Sequence, residues 1–159
     1  MLNGYSEGAA VQPYGPAVLR LVVGLVFVAH GAQKLFGVWG GEGLPGTSAW
    51  FAQLGLEPSY PLAVVAATIE FGGGLLLIFG AYTVFAAVAL ILQMLVAIWT
   101  VHLAHGFFLP QGYEFNLTLV GALTCLALTG PGALSVDVRR ASHAAAAAAG
   151  RARLRAGNV

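Results

Sequence analysis

Charged side chains are scarce in this chain. Asp, Glu, Lys and Arg make up only 8% of its 159 residues, against roughly a quarter in soluble globular domains, so it lacks the material for a fully solvated surface. Charge of one sign is lacking too: seven Lys and Arg face six Asp and Glu, a formal net charge of +1. That balance offers no basic field for nucleic acid, and no nucleic-acid partner is expected. Cysteine occurs once, at Cys125, which excludes an internal disulfide, a C-x-x-C redox pair and a C-x-x-C-H haem attachment. Cys125 reads as packing, a small hydrophobe. A dinucleotide fingerprint is also missing, because Gly72-Gly73-Gly74 lies inside an apolar run rather than between a strand and a helix.

What the chain does have is hydrophobicity: 58% of residues are apolar or aromatic, with a mean hydropathy of +0.83. Four windows approach the roughly 20 apolar residues that a membrane crossing needs: Pro16 to Gly37, Ser59 to Gly80, Val84 to Ala104 and Glu114 to Gly130. Turn signals separate them at Gly40-Gly41 and Leu44-Pro45-Gly46, at Gly80 to Thr83, and at Leu109 to Gly112. The fourth window is short and polar at its start. The expectation is an all-α, integral membrane four-helix bundle at 16–137, preceded by a short segment at 1–15 and followed by a basic, Ala-rich tail at 138–159. A cleaved signal peptide is disfavoured, since Arg20 sits within the helical stripe of the first apolar run and three more spans follow.

Direction follows from the arginines. Arg139, Arg140, Arg151, Arg153 and Arg155 crowd the tail while the connections hold almost no basic residue, which predicts a cytoplasmic C-terminus and, after four crossings, a cytoplasmic N-terminus. The first and third connections (38–58 and 105–113) then face outward. The tail arginines have two readings, a solvated topology signal or a contact with anionic lipid heads.

The polar residues inside the spans fall on shared faces. Arg20, Gly24, Phe27, Gly31 and Lys34 form one helical stripe, with His30 beside Lys34. Ala63, Ala67, Glu70 and Gly74 form a second, and Met94, Ile98, His102 and His105 a third. With the fourth span opening on Glu114 and Asn116, the outer helix ends bring His30, Gln33, Lys34, His102, His105, Glu114 and Asn116 to one level, with Glu70 below. Ionisable groups in lipid cost about 2.5–3.5 kcal/mol each on insertion scales, so they tend to face the bundle and pair. Blander readings stand beside this one. Lys34 can snorkel to the interface, His102 and His105 can be interfacial like Trp99, and Arg20 can anchor the cytoplasmic interface. No metal site is expected: His102 and His105 have i, i+3 spacing without an H-E-x-x-H pattern, and His30 would have to reach across.

In this order and spacing, several motifs resemble the DoxX family of small four-helix bacterial membrane proteins. They are HGxxKLFG (His30, Gly31, Lys34 to Gly37), Phe51 with Leu54-Gly55, and Glu70-Phe71-Gly72-Gly73. The pattern continues through His105-Gly106-Phe107-Phe108, Glu114 to Leu117, and Gly130-Pro131-Gly132 to Asp137, covering about residues 17–137. The resemblance implies a bacterial inner (cytoplasmic) membrane protein related to the membrane subunit of thiosulfate:quinone oxidoreductases, working with other subunits. It does not by itself carry the thiosulfate substrate across.

Two functions follow as expectations. In one, the chain is at most a subunit of a quinone-linked oxidoreductase, with quinone as a possible cofactor near the outer leaflet. Phe27, Phe71, Trp99, Phe107 and Phe108 would build an apolar slot, His30, Lys34, His102 or His105 would touch a carbonyl, and Glu70 and Glu114 would carry protons. With no cofactor motif in the sequence, electrons would come from a partner or from the substrate. In the other, the chain is a noncatalytic assembly subunit whose polar cluster locks helices and whose outer loops dock a partner. Interhelical polar pairs average only about 0.6 kcal/mol, which tilts the reading toward a ligand. A transporter is weaker still, with no inverted repeat visible. The chain is expected to live among lipids, as a homo- or hetero-oligomer.

Overall fold

The structure, a computed structural model, describes residues 13–156, without the side chains of 152, 153, 155 and 156. Most of the segment expected at 1–15, and the side chains of Arg153 and Arg155, lie outside the described residues. Within them every regular element is helical: α1 (Tyr14–Phe36), α2 (Gly43–Gln53), α3 (Ser59–Phe79), α4 (Thr83–Ala97), α5 (Glu114–Thr129) and α6 (Val136–Ala156). At its end α4 continues through a wide π turn, Ile98–His102, and a tight 3₁₀ turn, Leu103–His105. The runs Tyr14–Phe36, Ser59–Phe79 and Thr83–His105 are long and apolar enough to cross a membrane, and α5 is a shorter apolar helix. The chain is thus an all-α membrane bundle, as the hydropathy predicts.

Local chemistry sets the ends. Gly37 and Gly80, both left-handed (φ 68° and 62°), stop α1 and α3 and return their N–H groups to the preceding turn, a conformation only glycine adopts without cost. At the start of α3 the Ser59 N–H donates to Glu57 Oε2 at 2.8 Å. The first connection, which the sequence reads as a loop, contains α2. Its Thr47 hydroxyl bonds back to the Gly43 carbonyl at 2.8 Å.

The bundle is built from two close pairs. The first is α1 on α3, where glycine lets backbone meet backbone: a Cβ at Gly31 would lie 2.4 Å from the Phe71 nitrogen, and one at Gly24 2.8 Å from the Gly74 carbonyl oxygen. The second is α4 on α5, where Ala86, Ala87, Leu90 and Met94 meet Leu119, Leu123 and Leu126. Small residues permit such approach where lipid gives no hydrophobic drive for association.

Arg20 is not an interface anchor. It is only 2% exposed, and its guanidinium donates to the carbonyls of Pro131 (2.9 Å), Leu77 (3.2 Å), Ile78, Ala133 (3.0 Å) and Leu134 (3.0 Å). These carbonyls lie at the end of α3 and in the turn after α5, where helix geometry leaves acceptors in excess; Leu77 also takes the Gly80 N–H, and a fork of five N–H donors serves all of them together. Cys125 is not a packing residue either. The inward face of α5 is Asn116, Leu119, Leu123 and Leu126, and Cys125 points away from it and is exposed.

Candidate functional site

Three helices contribute one polar group each to a single network, a buried carboxylate between a half-buried lysine and a half-buried amide. Lys34 near the end of α1 places Nζ 2.5 Å from Glu70 Oε2. Glu70, midway along α3, is only 4% exposed, and its other oxygen accepts from Gln93 Nε2 of α4 at 2.9 Å. The same Gln93 nitrogen donates to the Ala66 carbonyl at 3.1 Å. Turning the amide over would set its oxygen against two acceptors, so the network fixes its orientation. The cost of this orientation falls on Gln93 Oε1, buried with no hydrogen-bond partner among the described residues. Lys34 therefore does not snorkel outward; its charge is matched within the protein.

This network forms part of the wall of a cavity of about 640 Å³ bounded by α1 to α5. Val26, Phe27, Ile69, Met94, Phe115 and Leu119 make its interior apolar. Trp50, Phe51 and Leu56, together with Leu109 and Pro110 from the α4–α5 connection, line it from the end of the bundle where α1 finishes and α3 begins. Its polar lining is Lys34, Glu70, Gln93, His30, Thr100, His102 and Asn116. His102 Nδ1 lies 2.7 Å from the Gln111 carbonyl. Since a carbonyl only accepts, Nδ1 carries the hydrogen and Nε2 of the neutral ring is left as an acceptor. The His30 ring sits 6.4 Å from that of Phe115.

Of the residues singled out in the sequence, His30, Lys34, Glu70, Met94, His102, Asn116 and Phe27 come together here, with the motif residue Phe51, and the remaining site candidates lie elsewhere. Phe71 packs edge-on against Phe36 at 5.4 Å on the α1–α3 seam. Trp99 is 77% exposed on the outside of α4. His105 bonds back to the Val101 carbonyl at 2.9 Å, and Glu114 braces the α4–α5 connection by accepting the Leu109 N–H at 2.7 Å. Phe107 stacks on Phe108 and Tyr113 beyond the cavity, and Gln33 donates to the Trp39 carbonyl. Beyond Ala97 the helix changes to the π turn Ile98–His102 and then to the 3₁₀ turn Leu103–His105. An extra residue in a turn rotates everything after it by about 100°, so the expected face of Met94, Ile98, His102 and His105 is broken, and only Met94 and His102 line the cavity.

Sequence reasoning missed Gln93, Trp50 and the lining role of Phe51. An amide in the middle of an apolar span was the available signal for Gln93, since such a group needs a partner in lipid. Nothing local marks Trp50.

The family model described as DoxX matches residues 15–103, from α1 to the end of the π turn and the first residue of the 3₁₀ turn. The chain belongs to the DoxX family. Among curated relatives, it is similar to the Bacillus subtilis (strain 168) protein named "Putative oxidoreductase CatD", 37% identical over 77% of this chain and 84% of that one. It is also similar to two Escherichia coli (strain K12) proteins, Inner membrane protein YphA (28% identical, 85% of this chain and 96% of that one) and Inner membrane protein YqjF (31% identical, 80% and 92%). No solved structure matches the chain. With its apolar helices, this DoxX protein is, like those two, a multi-pass protein of the bacterial inner membrane. The match ends before α5, so Asn116 and Leu119 are cavity residues outside it.

Proposed function

We propose that this DoxX protein is a membrane subunit of a redox complex, and that its cavity holds a quinone or a similar ring amphiphile with the polar edge of the ring toward Lys34 and Glu70. One observation carries the reading: an apolar cavity of about 640 Å³ has a buried carboxylate joined to a half-buried lysine and amide in its wall. Small-molecule sites have this character, about 300–1,000 Å³ of mostly apolar lining with a few convergent polar groups. The name of the CatD relative points to the same chemical class.

The donor set suits such a guest. A quinone, when bound, supplies an acceptor for two electrons and two protons. Lys34 Nζ carries N–H donors beyond the one given to Glu70, and these can reach a ring oxygen while Glu70 holds the ammonium in place. Gln93 fixes the far oxygen of Glu70 and so positions the pair. His102 Nε2 can hold a proton at the cavity wall. Phe27 and Met94 provide apolar walls for the ring and exclude water from it. Electrons come from a partner subunit or directly from a substrate. The basic tail sets both ends in the cytoplasm, which puts the cavity toward the outer leaflet.

A second reading, a noncatalytic assembly subunit, has its own support in Trp39 and Phe108, large aromatics exposed near the cavity end of the bundle, where a partner can dock. Purification in mild detergent followed by extraction and mass spectrometry separates the two. On the first reading quinone accompanies the wild type and falls by about tenfold or more in folded Glu70→Gln and Lys34→Met variants. A wild type free of quinone, with partner subunits lost from those variants, goes to the second reading.

A further inference from the structure

The cavity has a mouth in its side. Leu62 and Val65 of α3 and Leu92 and Val96 of α4 all line it, and yet they are 37%, 54%, 60% and 56% exposed. The two helices are tied at the lower edge of this rim, where Gln93, next to Leu92, bonds to the carbonyl of Ala66, next to Val65, and deeper down Leu90 lies against Gly73. Above that tie, toward Ser59 and His105, no side-chain hydrogen bond joins α3 to α4 among the described residues. The mouth lies well inside both crossings: Val65 is six residues past the start of α3 at Ser59, about 9 Å along its axis. The run Thr83–His105 extends nine residues beyond Val96. An opening at that depth faces acyl chains, and all four rim side chains are aliphatic.

We infer that this mouth is a lateral entrance from the bilayer, and that the ligand is a lipid-soluble molecule whose apolar tail lies through it while its polar ring sits at Lys34 and Glu70. The inference rests on the ligand reading given above. A tail leaving lipid for an aliphatic rim exchanges one apolar surround for another, because acyl chains are as apolar as Leu. A polar or charged guest on the same path loses its hydration with no polar rim group to replace it. At the end of the bundle the lining, Trp50, Phe51, Leu109 and Pro110, is apolar as well, with Trp50 and Leu109 themselves 39% and 58% exposed. The entrance therefore selects for solubility in lipid, and the buried polar network selects for the ring.

The test uses the full chain in phosphatidylcholine nanodiscs. Of its three tryptophans, Trp50 lines the cavity, so a Trp39→Phe/Trp99→Phe background makes Trp50 fluorescence the binding signal. The probes are ubiquinone-1 and ubiquinone-10, and the mouth is narrowed by Val65→Phe/Val96→Phe or, independently, by Leu62→Phe/Leu92→Phe. The expected result is that the background quenches with both probes, and that each narrowed variant loses at least about tenfold in affinity for ubiquinone-10 while holding ubiquinone-1 within about twofold. Equal effects on the two probes, or no effect in either variant, would overturn the lateral entrance and leave the ligand reading standing. A background that binds neither probe overturns both.

Discussion

At the scale of single residues, Glu70 decides most of the cavity's chemistry. A carboxylate this deep is tolerable because Lys34 matches its charge and Gln93 takes its second oxygen. Removing one partner is worse than removing the charges together. Lys34→Met should therefore destabilise the protein by about 1–3 kcal/mol, the cost of a buried polar group left without its partner. The figure stays below that for a fully buried pair because the Lys34 side chain is 25% exposed. The double variant Lys34→Met/Glu70→Gln should recover most of the loss. Thermal unfolding in detergent, followed by circular dichroism and combined as a double-mutant cycle, measures the coupling. Strictly additive losses would show that the pair does not act as a unit. Residue-level legibility was uneven: Lys34 and Glu70 announced themselves as charges in apolar runs, whereas the burial of Arg20 depended on where two remote turns aim their carbonyls.

At the scale of elements, the α1–α3 seam depends on missing side chains. Gly31→Ala would put a methyl group 2.4 Å from the Phe71 backbone, and neither helix can yield without moving the other. A loss of about 1–3 kcal/mol, typical of overpacking, is expected. Gly72→Ala meets nothing within 4 Å and should stabilise by roughly 0.5–1 kcal/mol through helix propensity alone. The two melting temperatures, compared side by side, check whether the seam or merely the helix is sensitive. The other junction is between α4 and α6, where Asp137 accepts the N–H groups of Tyr82 and Thr83 and the Thr83 hydroxyl at 2.8, 2.9 and 3.0 Å. Burial alone would raise the Asp137 pKa, but these three bonds and the nearby Arg140 outweigh it and hold the carboxyl below its ordinary value. A carboxyl depressed in the folded state contributes stability that is complete above the unfolded pKa of about 3.9 and is lost as pH falls through the lower folded value. Melting temperature should therefore drop on acidification below about pH 4 in the wild type, and less steeply in Asp137→Asn, which should also melt lower at neutral pH. Parallel pH profiles for the two proteins would sink the idea.

At the scale of the whole molecule, the short apolar helix α5 shapes one end. The 16 residues of α5 reach about 24 Å, less than the roughly 30 Å of the hydrocarbon core. The exposed Phe107, Phe108 and Leu109 in the connection before it suit the resulting position near the acyl boundary. The proposed orientation puts that end outside. In a Cys125→Ser background, Trp39→Cys should react with a membrane-impermeant maleimide on intact cells, and Ser142→Cys, exposed on α6, only after permeabilisation. The reverse labelling pattern would invert the topology and move the cavity to the inner leaflet.

Period and composition alone determined that the chain is helical and lives in lipid, that glycines on α1 and α3 face protein, and that His30, Gln33, Lys34, His102, His105, Glu114 and Asn116 belong near one end with Glu70 below them. These follow from the sequence because burial, helical spacing and charge cost act along a single helix. Tertiary structure decided the rest. The partnership of Gln93 with Glu70, the arginine fork on two remote turns, the aromatic cover from α2 and the side mouth all depend on how separate helices are set against one another. The end of α4 shows why: a change of turn type at Ile98–His102 and again at Leu103–His105, with no signal in composition, left His102 on the cavity with Met94 and His105 off it.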